Sequence, residues 1–265
     1  MRIAVGILSI ILAVAPLHGA KGWGEAGHSI VAEIAQRHLD PVVLQRIKIL
    51  LGGEVSLASI SNWADTVSLT RPETRRWHFV NIPVTADHYD GEKYCPNDDC
   101  IIGAIARMRN VLVNDAAPQL QRAEALKFLV HLVADIHQPL HCAERNNDAG
   151  ATTLSVTFFD TTMSLHMVWD VGLIEQRTHD WGELVGEIER EWLKNSVLAK
   201  TLGGQPADWA WQSHEIARDL AYDVPQDLKL SEAYYNFSFP IVERQLASAG
   251  IRLGRMLNEA LISSR

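Results

Sequence analysis

The sequence has little of what several large enzyme classes need. It holds no phosphate-cradling P-loop, no HExxH pair on one helix and no serine in a GxSxG elbow, so the common NTPase, zinc-protease and α/β-hydrolase arrangements are absent. Three cysteines occur in 265 residues, too few for a disulfide framework. Basic residues are in the minority, 24 Lys and Arg against 32 Asp and Glu, giving a formal net charge of −8. A basic patch gripping a polyanion unaided is therefore a poor account of function. A phosphate substrate would need bound cations to supply the positive field. Repeats, low-complexity linkers and blocks of like charge are missing too.

The longest apolar run stands at the start, in MRIAVGILSIILAVAPLHGAKG. Arg2 precedes it, and Ala20 and Gly22 sit at minus three and minus one from a cut before Trp23. This is the layout of a secretory signal peptide, and its apolar core is short for a spanning helix. Residues 1–22 are thus expected to be removed, leaving 23–265 as one domain, secreted or periplasmic. Without Arg2 and Lys21 the charge becomes about −10. Export permits disulfides. Cys95 and Cys100, in CPNDDC, favour a small disulfide loop; a zinc knuckle is the alternative, weakened by the lack of a second pair. Cys142 is left over and reads as a buried, inert thiol.

Helical spacing dominates the rest. Ile30, Val31, Ile34, Ala35 and Leu39 define a helix over 26–39. Asp40-Pro41 then caps and opens a second helix that Gly52-Gly53 closes. Further helices are expected at about 56–66, 101–114, 119–138, 164–176, 181–199, 207–222 and 231–262. The alternating, β-branched stretch 152–165 predicts a short hairpin. The fold class is all-α: a mainly helical single domain with one short β-hairpin.

Titratable groups interrupt these apolar helices. His131 and Asp135 stand four apart, as do His166 and Asp170, so each pair shares a helix face. An imidazole and a carboxylate at that spacing can chelate zinc from a rigid support. A single such pair is more often a hydrogen-bonded core histidine. Two pairs, with His141 just past the stop imposed by Pro139, favour metal. His28 near the start of the first helix, Asp65 in NWAD and His78 in the extended stretch WHFVNIP add donors enough for more than one ion.

The ordered motifs WGxxGH, NWAD, RWHFVNIP, HLVADIHQPLH, HMVWD and the C-terminal LSEAYYNFSFPIVERQLASAGIRLGRMLN resemble the trinuclear-zinc single-strand nucleases and 3′-nucleotidases, relatives of the zinc phospholipases C. The resemblance spans nearly all of residues 23 to 258. It implies three Zn²⁺: one on Asp65, His78, His131 and Asp135; a second on His141, His166 and Asp170; a third on His28, the bridging Asp135 carboxylate, and the free amine and carbonyl of Trp23. Asp65 and Asp135 would stand at the catalytic centre, and cleavage before Trp23 would complete it. The implied reaction is metal-activated hydrolysis of RNA and single-stranded DNA to 5′-phosphorylated products, with 3′-nucleotides as further substrates, by a monomer.

The same resemblance places Phe79 where a base is stacked and Asn81 where fungal members carry a base-reading aspartate. Two positions depart from the pattern. Ser68 replaces an arginine that can contact phosphate, so either Arg71, Arg75 or Arg76 reaches in or the contact is missing and the enzyme slower. Residues 150–152 read GAT where relatives have GGN. His137 is expected to support the site or the core, and His38, His88, His179 and His214 to be ordinary. The alternatives are a zinc phospholipase C-like phosphodiesterase and a non-catalytic exported zinc-binding module.

Overall fold

A computed structural model describes residues 23–194, 200 and 202–262. The expected leader and the last part of the helix expected over 181–199 lie outside them. The chain is mainly helical, with a small three-stranded sheet. Helix α1 spans Gly24–Arg37 and α2 Pro41–Leu51. The α2 start follows from its caps: the Asp40 carboxylate accepts from the Val42 N–H and Pro41 fills the first turn. Gly52, in the left-handed region at φ 81°, ends it.

The helix expected over 56–66 is two helices, α3 (Leu57–Ile60) and α4 (Trp63–Thr70). The break at Ser61 frees a backbone carbonyl that His131 uses, and it puts Asp65 in the first turn of α4. His78 is not extended: it ends a 3₁₀ segment, Pro72–His78, and the chain straightens only at Phe79. The short α5 (Gly91–Tyr94) and a 3₁₀ turn (Pro96–Asp98) follow, closed by the Cys95–Cys100 disulfide. This settles the CPNDDC alternatives in favour of the disulfide.

Helix α6 (Ile101–Val113) packs on α7 (Gln119–Asp135). From Phe128 to Asp135 every α7 residue is buried, as apolar residues on every side of a helix require, and His131 and Asp135 are buried with them. It ends three residues before the expected 138, because the residue before a proline avoids helical geometry; Pro139–Cys142 forms a 3₁₀ turn instead. The hairpin forms as β1 (Ser155–Phe158) and β2 (Thr161–Ser164). An unforeseen β3 (Lys229–Leu230) adds to β1 in parallel.

Three π turns interrupt or extend the helices that follow. Helix α8 (Leu165–Met167) runs through a π turn (Val168–Gly172) into α9 (Leu173–Arg177). Helix α10 (Trp181–Ile188) continues as a π turn to Leu193, and α11 (Pro206–Ile216) as one to Ala221. The long α12 (Glu232–Ile262) lies against α1. A Cβ on Gly250 would stand 2.5 Å from Ile34, so glycine is what permits this close crossing. No helix among the described residues is long and apolar enough to cross a membrane.

Candidate metal centre

Five histidines and three aspartates from six segments meet where α7 ends. The described residues form three clusters able to hold metal ions: His28, His131 and Asp135; Asp65, His78 and His131; and His141, His166 and Asp170. Every one of these side chains is buried except that of Asp65, which is 17% exposed. Asp135 joins two clusters through separate oxygens. Its Oδ1 is 3.1 Å from His28 Nε2, while Oδ2 is 2.9 Å from His78 Nδ1 and 3.1 Å from His131 Nε2. Asp65 Oδ1 lies 3.4 Å from His131 Nε2.

The backbone fixes how the rings point. Nδ1 of His28, His131, His141 and His166 sits within 2.8 Å of the carbonyls of Gly24, Ser61, His78 and Gly150, respectively. Each Nδ1–H therefore donates to backbone, leaving an Nε2 lone pair for the cluster. His78 is turned the other way, with Nδ1 inward. His28 and His131 stack with centroids 3.9 Å apart.

Charge is concentrated here. Burial opposes ionisation of Asp135, yet His131 and His141 hold its carboxyl well below the usual carboxylate range. Against the same burial penalty, Asp135 and Asp65 hold His131 well above its ordinary value. His141, also penalised by burial, is raised to about 9 by Asp135 and Asp170. These protons stand where cations would. The third cluster is under-satisfied. His166 Nε2 is 3.2 Å from Asp170 Oδ2 and His141 Nε2 is 3.7 Å from Asp170 Oδ1. Yet His141 Nε2, His166 Nε2 and Asp170 Oδ2 are buried without a hydrogen-bond partner. Orphaned buried donor atoms facing one another are costly, and a divalent ion satisfies all of them.

Supporting residues escaped the sequence reading. Gln138 donates to Asp170 Oδ1 and accepts from the Leu140 N–H, tying the turn after α7 to the third cluster. Ser213 donates to the Ile136 carbonyl at 2.7 Å and Gln245 to the His137 carbonyl at 2.7 Å, capping the end of α7. His137 itself points away from the clusters. It donates from Nδ1 to Val133 and accepts at Nε2 from Arg252, 2.8 Å away. Burial and then the Arg252 charge push it down to about 3, so it stays neutral.

Trp23 is buried, and its indole donates to the Ala134 carbonyl at 2.9 Å, one residue before Asp135. A cavity of about 390 Å³ opens on the centre. Asp65, His78, His141 and His166 line it, with half-buried Phe79 and Asn81 beside them. Ser68 and Arg75 lie on the same wall. Of the three candidate arginines only Arg75 lines the cavity. Arg71 pairs with Glu124 and Arg76 with Asp99, whereas Arg75 donates to the Ser68 carbonyl. Cys142 is a buried free thiol, and His214 is buried against Trp211.

The S1/P1 nuclease family profile matches residues 23–262. Endonuclease 3 of Arabidopsis thaliana is 30% identical over 287 residues, covering 98% of this chain and 96% of that protein. Nuclease S1 of Aspergillus oryzae is 30% identical, covering 92% and 93%. Nuclease P1 of Penicillium citrinum is 29% identical, covering 89% and 97%. The match runs through every segment that contributes a cluster residue. The chain belongs to the S1/P1 nuclease family and is a nuclease, a hydrolase acting on nucleic acid.

Proposed function

We propose that this protein is an exported zinc-dependent endonuclease that cleaves RNA and single-stranded DNA to 5′-phosphorylated products and also acts on 3′-nucleotides. The observation that carries the reading is the orphaned donor set of His141, His166 and Asp170, beside two further clusters that the Asp135 carboxylate joins. Imidazole nitrogens with carboxylates suit zinc. Asp65, His78, His131 and Asp135 would hold one ion; His141, His166 and Asp170 a second; His28, Asp135 and the Trp23 amine and carbonyl a third. Bound zinc would supply Lewis acidity for water activation and for the charge on the departing 3′ oxygen.

The chain's own groups do the rest. Asp135 keeps its two oxygens on different clusters, which fixes the spacing of the centre. Phe79 offers a ring to an unpaired base, a contact worth roughly 1–3 kcal/mol that any base can make. Asn81 presents an amide, donor as well as acceptor, to the base edge. Arg75 takes the phosphate contact for which Ser68 is too short.

The test is to assay protein beginning at Trp23 on RNA, single-stranded DNA, 3′-nucleotides and phosphatidylcholine. Acid-soluble, 5′-phosphorylated products with intact lipid are expected. Lipid hydrolysis alone would assign the site to phospholipase chemistry. Full zinc with no hydrolysis of any substrate would make it a binding module. Asp135→Ala is expected to lose zinc and nearly all turnover.

A further inference from the structure

Arg252 poses a problem that the metal centre does not solve. It is 5% exposed, yet among the described residues it makes no ion pair. Its partners are neutral: His137 Nε2 at 2.8 Å, Gln212 Oε1 at 2.7 Å and the face of Trp209 at 5.3 Å. Its Nε is buried with no hydrogen-bond partner. Asp208 is the carboxylate whose charge favours the Arg252 cation, but it accepts from the backbone N–H of Gln205, 2.7 Å away, and makes no ion pair with the guanidinium. A buried guanidinium with an unused N–H and no ion pair is costly to desolvate, and an anion from outside the chain would satisfy it.

Arg252 also lines a cavity of about 530 Å³ that shares no residue with the one at the metal centre. Arg109 of α6 and Arg255 of α12 line it too, against a single carboxylate, Glu259. The lining thus carries three arginines to one carboxylate, in a protein of net charge −8. Guanidinium groups present planar forks of donors, the geometry that grips phosphate oxygens in pairs.

We infer that the cavity between α6, α11 and α12 is a second anion site, built to take a phosphate group on Arg252, Arg109 and Arg255. Inorganic phosphate and the terminal phosphate of a 5′-mononucleotide share this chemistry. Because Arg252 also holds His137, an occupant here would be linked through that hydrogen bond to the segment that carries Asp135 and His141.

The site is read locally. The Trp209 indole N–H, which donates to the Gly203 carbonyl at 3.0 Å in the same cavity, reports occupancy by its NMR resonance in the zinc-loaded protein. The resonance is assigned with Trp209→Phe. Titration with inorganic phosphate is expected to shift it saturably, and chloride at matched ionic strength to leave it unmoved. Arg109→Gln should weaken phosphate about tenfold, the loss of one charge-assisted hydrogen bond, and Glu259→Gln should tighten it. Both variants should retain wild-type nuclease activity. Tighter binding of 5′-adenylate than of phosphate would support a mononucleotide occupant, and equal binding free phosphate. No saturable shift, an equal response to chloride, or affinities indifferent to both variants would overturn the inference.

Discussion

Arg75 and His137 show how neighbouring basic groups part company. Arg71, Arg75 and Arg76 are equivalent in sequence, and only their partners separate them. Arg71 and Arg76 are held by Glu124 and Asp99, so Arg75 alone brings a cation to the cavity. Arg75→Ala should lower kcat/KM on single-stranded RNA at least about tenfold, as for loss of a charged hydrogen bond, with zinc content unchanged. Adding Ser68→Arg to that variant should recover part of the loss. Unchanged kinetics in Arg75→Ala would remove it from the substrate site. His137 was equal to its neighbours as a sequence letter. It leaves the centre because α7 turns it towards α12, where Arg252 meets it 115 residues along the chain.

Among the elements, the turn before β1 places His166, and it is built from left-handed residues. Asn146, Asn147, Ala149, Gly150 and Ala151 all have positive φ. Gly150, at φ 67°, has no room for a Cβ, which would run into the Leu140 carbonyl, and its own carbonyl holds His166 Nδ1. Ala151 adopts φ 62° with a side chain, at a cost of about 1–2 kcal/mol. Gly150→Ala should therefore lower thermal stability and zinc content together. Ala151→Gly should stabilise by about 1 kcal/mol once the added backbone freedom of the unfolded glycine is deducted. Thermal melts and metal analysis of both variants check this; a destabilised Ala151→Gly would contradict it. Helical spacing of apolar residues made α1, α6, α7 and α12 legible in sequence, and α2 has its caps as well. The break at Ser61, the 3₁₀ turn ending at His78 and β3 were not, because each is fixed by distant contacts: His131 on the Ser61 carbonyl, His141 on the His78 carbonyl, and β1 on Lys229. The cluster histidines and aspartates were legible by spacing and family resemblance. Gln138, Ser213, Gln245 and Arg252 were not, since nothing local marks a glutamine or serine as a cap for another helix.

At the scale of the whole molecule, metal and protons compete for one set of groups, and this couples stability to pH. In the metal-free protein burial disfavours charge on His141, but Asp135 and Asp170 raise it to about 9. A raised folded-state pKa stabilises fully below the unfolded value near 6.5, and the stabilisation fades as pH rises through about 9. The metal-free protein should thus lose resistance to urea between about pH 6.5 and 9. The metal-loaded protein should behave oppositely at its acidic limit, because ligands must shed protons to bind. Metal affinity should fall as pH falls below 9, and equal urea midpoints at pH 6.5 and 9 in metal-free protein would contradict this reading. The central claim is that buried clusters joined by Asp135 are a zinc centre completed at Trp23 and responsible for hydrolysis. Its most direct test is zinc per chain measured alongside RNA hydrolysis, for protein starting at Trp23 and for the same protein with one glycine before it. Three zinc ions and full activity are expected in the first, and fewer ions with reduced activity in the second. Rapid RNA hydrolysis by zinc-free protein, or equal zinc and activity in both forms, would contradict it.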